Sequence, residues 1–123
     1  MYQAKSLAKK IAAHLDFHKG EDVRIYDVEE KTPLARFYIV VGASNNRKVH
    51  GLEAEAEELL DKAGASISHI EGKGEDSPWT LIDAHDIVVH IMSTVERERL
   101  NFDKIYASCP LVDFTYDPLK MAK

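Results

Sequence analysis

Apolar residues recur along the chain at two spacings, one helical and one extended. Leu7, Ile11 and Leu15 recur four apart with Ala8 and Ala12 beside them, while Lys5, Lys9 and Lys10 fall elsewhere. That spacing predicts an amphipathic helix over about Tyr2–Phe17, ended by Gly20. Val23–Val28 then alternates as a β-strand. After the polar turn Glu29–Pro33, a second strand covers Arg36–Val41, and the short connection makes the two antiparallel neighbours. Ser44 or Asn45 is placed to cap a helix over Arg47–Ala63. There Val49, Leu52, Ala56, Leu59 and Ala63 form one stripe, Glu53, Glu55, Glu57 and Glu58 take the other surfaces, and Gly64 stands at the left-handed C-terminal position. Ser66–Ile70 reads as a short strand and Glu71–Pro78 as a polar loop.

The stretch from Trp79 to Met92 organises the rest. Apolar, β-branched residues flank the polar tetrad Asp83-Ala84-His85-Asp86, which predicts a hairpin. With Asp83 opposite Asp86, Ile82 pairs with Ile87, Leu81 with Val88, Thr80 with Val89 and Trp79 with His90. Side chains alternate across a strand, so the hairpin has two faces. Thr80, Ile82, Ile87, Val89 and Ile91 make a core-facing surface. Trp79, Leu81, Val88, His90 and Met92, with Asp83 and Asp86 at the tip, make a second surface, too apolar for free solvation and too polar at its edge for a dry core. That surface is a candidate docking site. The competing reading is that helices cover both faces and Trp79 is a core residue, since a continuous apolar run also marks a strand buried on two sides.

Beyond the hairpin, Thr94 can cap a helix through about Tyr106, with Leu100, Phe102 and Ile105 as anchors. The tail from Ala107 onward, punctuated by Pro110 and Pro118, reads as irregular. The expected fold is α+β: a single mixed sheet of about five strands with helices mainly on one face.

The 123 residues suit one domain with a real core. A net charge of −5, without a dense Lys/Arg cluster, disfavours gripping phosphate backbones. Action near nucleic acid would then go through a protein. The one cysteine, Cys109, cannot form an internal disulfide, which suits a reducing cytoplasm. No apolar run approaches membrane-spanning length, and Met-Tyr-Gln-Ala-Lys is no signal-peptide core.

Catalytic chemistry finds little support. Gly42-Ala-Ser44 before a helix suggests a metal-dependent nucleotidyltransferase, which needs carboxylates converging from one side of a strand. Asp83 and Asp86 instead lie three apart across a turn. His85 and His90 do not converge with them as a zinc set, and ring stacking or a hydrogen bond suits His90 better. His14, His18, His50 and His69 are scattered and receive no role. Cys109 has no activating base. No cofactor or metal is expected.

Several segments together resemble a known family, the ribosomal silencing factors, also called Iojap-like proteins. They are Glu71-Gly72-Lys73-Gly74; Trp79-Thr-Leu81-Ile-Asp83-Ala-His-Asp86-Ile-Val-Val-His90-Ile-Met92; Arg97 with Leu100-Asn-Phe102-Asp-Lys-Ile-Tyr106; and, upstream, Phe37-Tyr-Ile-Val40 and Ser44-Asn-Asn-Arg47-Lys-Val49. The likeness places the family domain at residues 1–107 and an irregular C-terminal extension at 108–123. Arg36 stands where the family has an aspartate, and Leu100 and Tyr106 replace a tyrosine and a tryptophan. His85 replaces a turn glycine, which favours a loop without positive φ there.

The resemblance implies an inactive nucleotidyltransferase-like fold. It also implies a cytoplasmic, non-catalytic repressor that binds the large ribosomal subunit through its protein numbered fourteen and sterically blocks subunit joining. Trp79 would anchor the contact, with Leu81, Val88 and Met92 around it and Asp83 and His90 on the same face. Lys73, Arg97 and Arg99 would be rim charges. A metal-dependent enzyme, or a homodimer burying the same face when free, are the alternatives.

Overall fold

The computed structural model describes residues 3–72 and 77–114. The elements run α1 (Ala4–Phe17), β1 (Glu21–Asp27), β2 (Phe37–Ala43), α2 (Asn46–Lys62), β3 (His69–Glu71), β4 (Trp79–Ala84), β5 (Ile87–Ser93), α3 (Thr94–Leu100) and α4 (Phe102–Ile105). The strands form one five-stranded sheet in the order β1-β2-β5-β4-β3. β2 and β5 are parallel and every other pair is antiparallel, so the sheet is mixed and the fold is α+β as expected. Among the described residues no helix is long and apolar enough to cross a membrane.

The core lies between the sheet and the two long helices. Leu7, Ile11 and Leu15 of α1 meet Val49, Leu52, Ala56 and Leu60 of α2 over Ile25, Phe37, Ile39, Ile82, Ile87, Val89 and Ile91, all at or near zero exposure. The stripe on α2 ends on Leu60 rather than Leu59, which is only partly buried. Central β5 is buried along its whole length, as a strand covered on both faces must be. Asn45 caps α2 by accepting the Lys48 N–H at 2.8 Å, and Gly64 follows its end at φ +76°.

Three expectations are corrected. The hairpin pairs Trp79 with Met92, Leu81 with His90, Ile82 with Val89 and Ala84 with Ile87, two residues out of the expected register. A slip of two preserves the side-chain alternation, so both faces keep their predicted members. The turn is His85-Asp86, and His85 adopts φ +69°, steadied by its N–H donating to Asp83 Oδ1 at 3.0 Å. The expected loop without positive φ is therefore not formed, and His85 takes the left-handed conformation despite its Cβ. Finally, the expected helix from Thr94 to Tyr106 is two helices. Ser93, not Thr94, caps the first by accepting the Glu96 N–H, and Asn101 at φ +55° turns the chain back into α4.

The reversal at Asn101 brings α4 against the sheet face opposite α1 and α2. A clamp holds it there. Arg97 donates from Nε and Nη2 to Asp103 at 2.7 and 3.0 Å, and from Nη1 to the carbonyls of Glu21 and Asp22 at 3.3 and 2.8 Å. Tyr26 donates its hydroxyl to the same carboxylate at 2.6 Å. The following chain lies along the free edge of β1: Asp27 N–H donates to Pro110 O, Val112 N–H donates to Ile25 O, and Leu111 bridges to Tyr26. Covering that edge shields it from a second strand.

Candidate functional site

Register places the second sheet face in three rows. Tyr26, Tyr38, Val88, Asp83 and His69 form the first; Arg24, Val40, His90, Leu81 and Glu71 the second; Gly42, Met92 and Trp79 the third. The face therefore runs from aromatic and apolar over β1, β2 and β5 to mixed polarity over β4 and β3.

α4 divides it. Phe102 lies on His90 with ring centroids 4.9 Å apart, and Tyr106 meets Tyr38 edge-on at 5.2 Å and Phe102 at 5.0 Å. Tyr38 in turn contacts His90 at 4.7 Å. Under this lid Met92 is inaccessible, His90 is 5 % exposed and Val88 is 7 % exposed. They lie beneath α4, on the strand next to the open strip, so the structure buries three residues that were expected to be exposed on that face. The β4 side stays open: Trp79, Leu81 and Asp83 are each half-buried, as are Tyr38 and Tyr106 at its margin. Neither reading of the sequence was complete, because one short helix covers half of a face that was expected to be wholly covered or wholly free.

Trp79 lies nearly parallel to His90, 11° between planes and 6.2 Å between centroids. Its indole N–H is buried without an acceptor among the described residues. The start of β4 is held by Ser77, whose hydroxyl donates to Trp79 O at 2.6 Å, and by Gly72 at φ +80°, where a Cβ would collide with the same carbonyl oxygen. Only glycine lets the two backbones approach so closely. From the other side of the sheet Thr80 is fixed, its hydroxyl 2.9 Å from both Glu53 Oε1 and Glu71 O. Glu53 is thus a buried member of the α2 stripe, not a surface residue. Its place between Val49 and Ala56 was the available signal.

His90 is the unusual group. Neither ring nitrogen has a hydrogen-bond partner among the described residues. Burial alone pushes its pKa down to about 4, so the ring is neutral at physiological pH. Asp103 in the clamp behaves differently. Burial favours its neutral form, but the hydrogen bonds from Arg97 and Tyr26 outweigh this and hold its pKa below the ordinary value. Burial and the bond to Asp103 push the Tyr26 hydroxyl up, so it remains a donor.

The expected rim charges separate. Arg97 is buried and all three of its side-chain nitrogens serve the clamp, so it is no rim charge. Arg99 is exposed and held by Glu96 at 2.7 Å. Lys73 lies outside the described residues. Asp83, besides capping the turn, sits 3.8 Å from His69 Nδ1 on the open side. One cluster went unassigned in the sequence: His14, His18 and Glu55 meet between α1 and α2, and the one-turn spacing of the two histidines was its signal.

Comparison with known proteins covers nearly the whole chain. Residues 2–123 match the family described as ribosomal silencing factor during starvation. The ribosomal silencing factor of Bacillus subtilis (strain 168) is 29% identical over 112 residues, covering 91% of this chain and 94% of that one. The chloroplastic protein Iojap of Zea mays is 24% identical, covering 91% of this chain and 48% of that one. The crystal structure of a Chromobacterium violaceum protein superposes with a TM-score of 0.79 at 26% identity, over 99% of this chain and all (100%) of that one.

Proposed function

The chain belongs to the ribosomal silencing factor family, and on that premise we propose that it represses translation by docking the open half of its second sheet face on the large ribosomal subunit. The contact is to the subunit's protein numbered fourteen, and the bound factor blocks the small subunit sterically. It performs no catalysis. The observation that carries this reading is the half-buried Trp79–Leu81 strip of β4, bordered by Tyr38 and Tyr106 and left open where α4 ends.

The strip has the make-up of a protein interface. An indole and two phenols lie at or beside an aliphatic centre, and Asp83, His69 and Glu71 form a polar margin on the β4–β3 side. Trp79 is the anchor, with Leu81 and Asp83 in contact and Val88, His90 and Met92 holding the strip from the neighbouring strand β5. Lys73 and Arg99 are rim charges that set association rate more than affinity. The overall negative charge favours a basic protein over bare rRNA as the direct partner.

The test is subunit joining. Small and large subunits are mixed with increasing protein and separated by sedimentation. The joined particle should decline while the protein travels with the large subunit. An undiminished joined particle, with the protein at the top of the gradient, would overturn the reading.

A further inference from the structure

We propose that His14, His18 and Glu55 form a zinc site that ties the end of α1 to the middle of α2. The site lies on the helical side of the sheet, away from the docking strip, and does not depend on the ribosomal reading.

The two histidines are one turn apart at the C-terminal end of α1, so both imidazoles project from the same side of the helix. α2 brings Glu55 between them. Glu55 Oε1 lies 2.9 Å from His14 Nε2 and 3.5 Å from His18 Nε2. Neighbouring ligands on tetrahedral zinc, with bonds of about 2.0–2.1 Å, stand roughly 3.3–3.4 Å apart. All three ligand atoms fall within 4.8 Å of one another, so closing the set takes a side-chain adjustment of at most about 1.5 Å.

A plain His–Glu ion pair would account for one imidazole on the carboxylate. It does not account for two converging on the same oxygen, with their rings 4.5 Å apart and Phe17 set edge-on against His18. The neighbouring cation does not compete, since Lys62 is held by Glu58 at 2.9 Å. Two imidazoles and one carboxylate suit a borderline divalent ion, whereas magnesium and calcium prefer an all-oxygen shell. The three side chains are 22 %, 36 % and 35 % exposed, which leaves an entry path and a fourth position for water. Bound zinc would cross-link the two helices that cover the core.

The test uses the untagged, chelator-treated full chain. Zinc is titrated by calorimetry and by thermal melting, and cobalt(II) is added as a spectroscopic probe. One equivalent should bind, and the melting temperature should rise by roughly 5–10 °C at a hundredfold excess over the dissociation constant. Cobalt should give visible four-coordinate bands without a thiolate charge-transfer band. H14Q, H18Q and E55Q should each weaken binding at least tenfold while melting normally without metal, and H69Q should bind as the wild type does. Absence of saturable one-to-one binding would overturn the proposal. So would a shift retained in H14Q and H18Q, or a thiolate band, which would move the metal to Cys109.

Discussion

His90→Leu isolates the effect of burying an imidazole with no partner. In the folded protein the ring titrates at about 4, against 6.5 for an exposed histidine, and burial is the whole cause. Below pH 6.5 the unfolded chain takes up a proton that the folded chain refuses, so stability falls as the pH drops and levels off only below the folded value. The loss attributable to this residue is about 2 kcal/mol at pH 5 and about 3 kcal/mol at pH 4. Protonation of Asp103 acts in the same direction, because its folded pKa is also depressed, but that contribution survives in the variant. Urea denaturation of both proteins at constant ionic strength, from pH 7.5 to 4, separates the two. At pH 7.5, His90→Leu should match or exceed the wild type, because it removes two unpaired nitrogens at the expense of ring contacts with Tyr38, Trp79 and Phe102. At acid pH the curves should diverge further by the amounts above. Curves that stay parallel throughout would refute the reasoning, since His90 would then titrate alike in both states.

Other perturbations test the supports of the face. Phe102→Ala opens the lid over His90; it should cost about 3–5 kcal/mol in urea denaturation and raise the His90 pKa toward 6.5, read from the imidazole proton shifts in an NMR titration. Arg97→Met leaves Asp103, which is partly exposed and keeps Tyr26 as a donor, without its main partner and should cost about 2 kcal/mol by the same assay. Gly72→Ala requires a side chain at positive φ and pushes on the Trp79 carbonyl, so it should destabilise by about 2 kcal/mol and alter tryptophan emission.

The parts that the sequence disclosed are those carried by periodicity. The stripes on α1 and α2 and the two faces of the hairpin follow from spacings of about four and of two residues, the antiparallel β1–β2 pair follows from its short connection, and a register error of two left the faces intact. What stayed hidden depends on groups that meet across a change of direction. Arg97 reads as a surface charge because Asp103, its partner, lies beyond Asn101, and nothing local shows that the chain reverses there. Phe102 was recognisable as an anchor, but not the face on which it would rest. Pro110 and Leu111 looked irregular because they pair with an edge strand more than eighty residues earlier, and local pattern carries no trace of such a contact. His85 kept a left-handed turn without glycine because Asp83 receives its N–H.

The open strip headed by Trp79 is the surface proposed to touch the ribosome. That contact is tested most directly by titrating the isolated large-subunit protein numbered fourteen with wild type and with Trp79→Ala, after confirming equal folding of the two. Loss of a hot-spot indole costs about 2 kcal/mol or more, so the account predicts at least about thirtyfold weaker binding by the variant. Equal affinities, or no binding by the wild type at concentrations where it sediments with the large subunit, would contradict it.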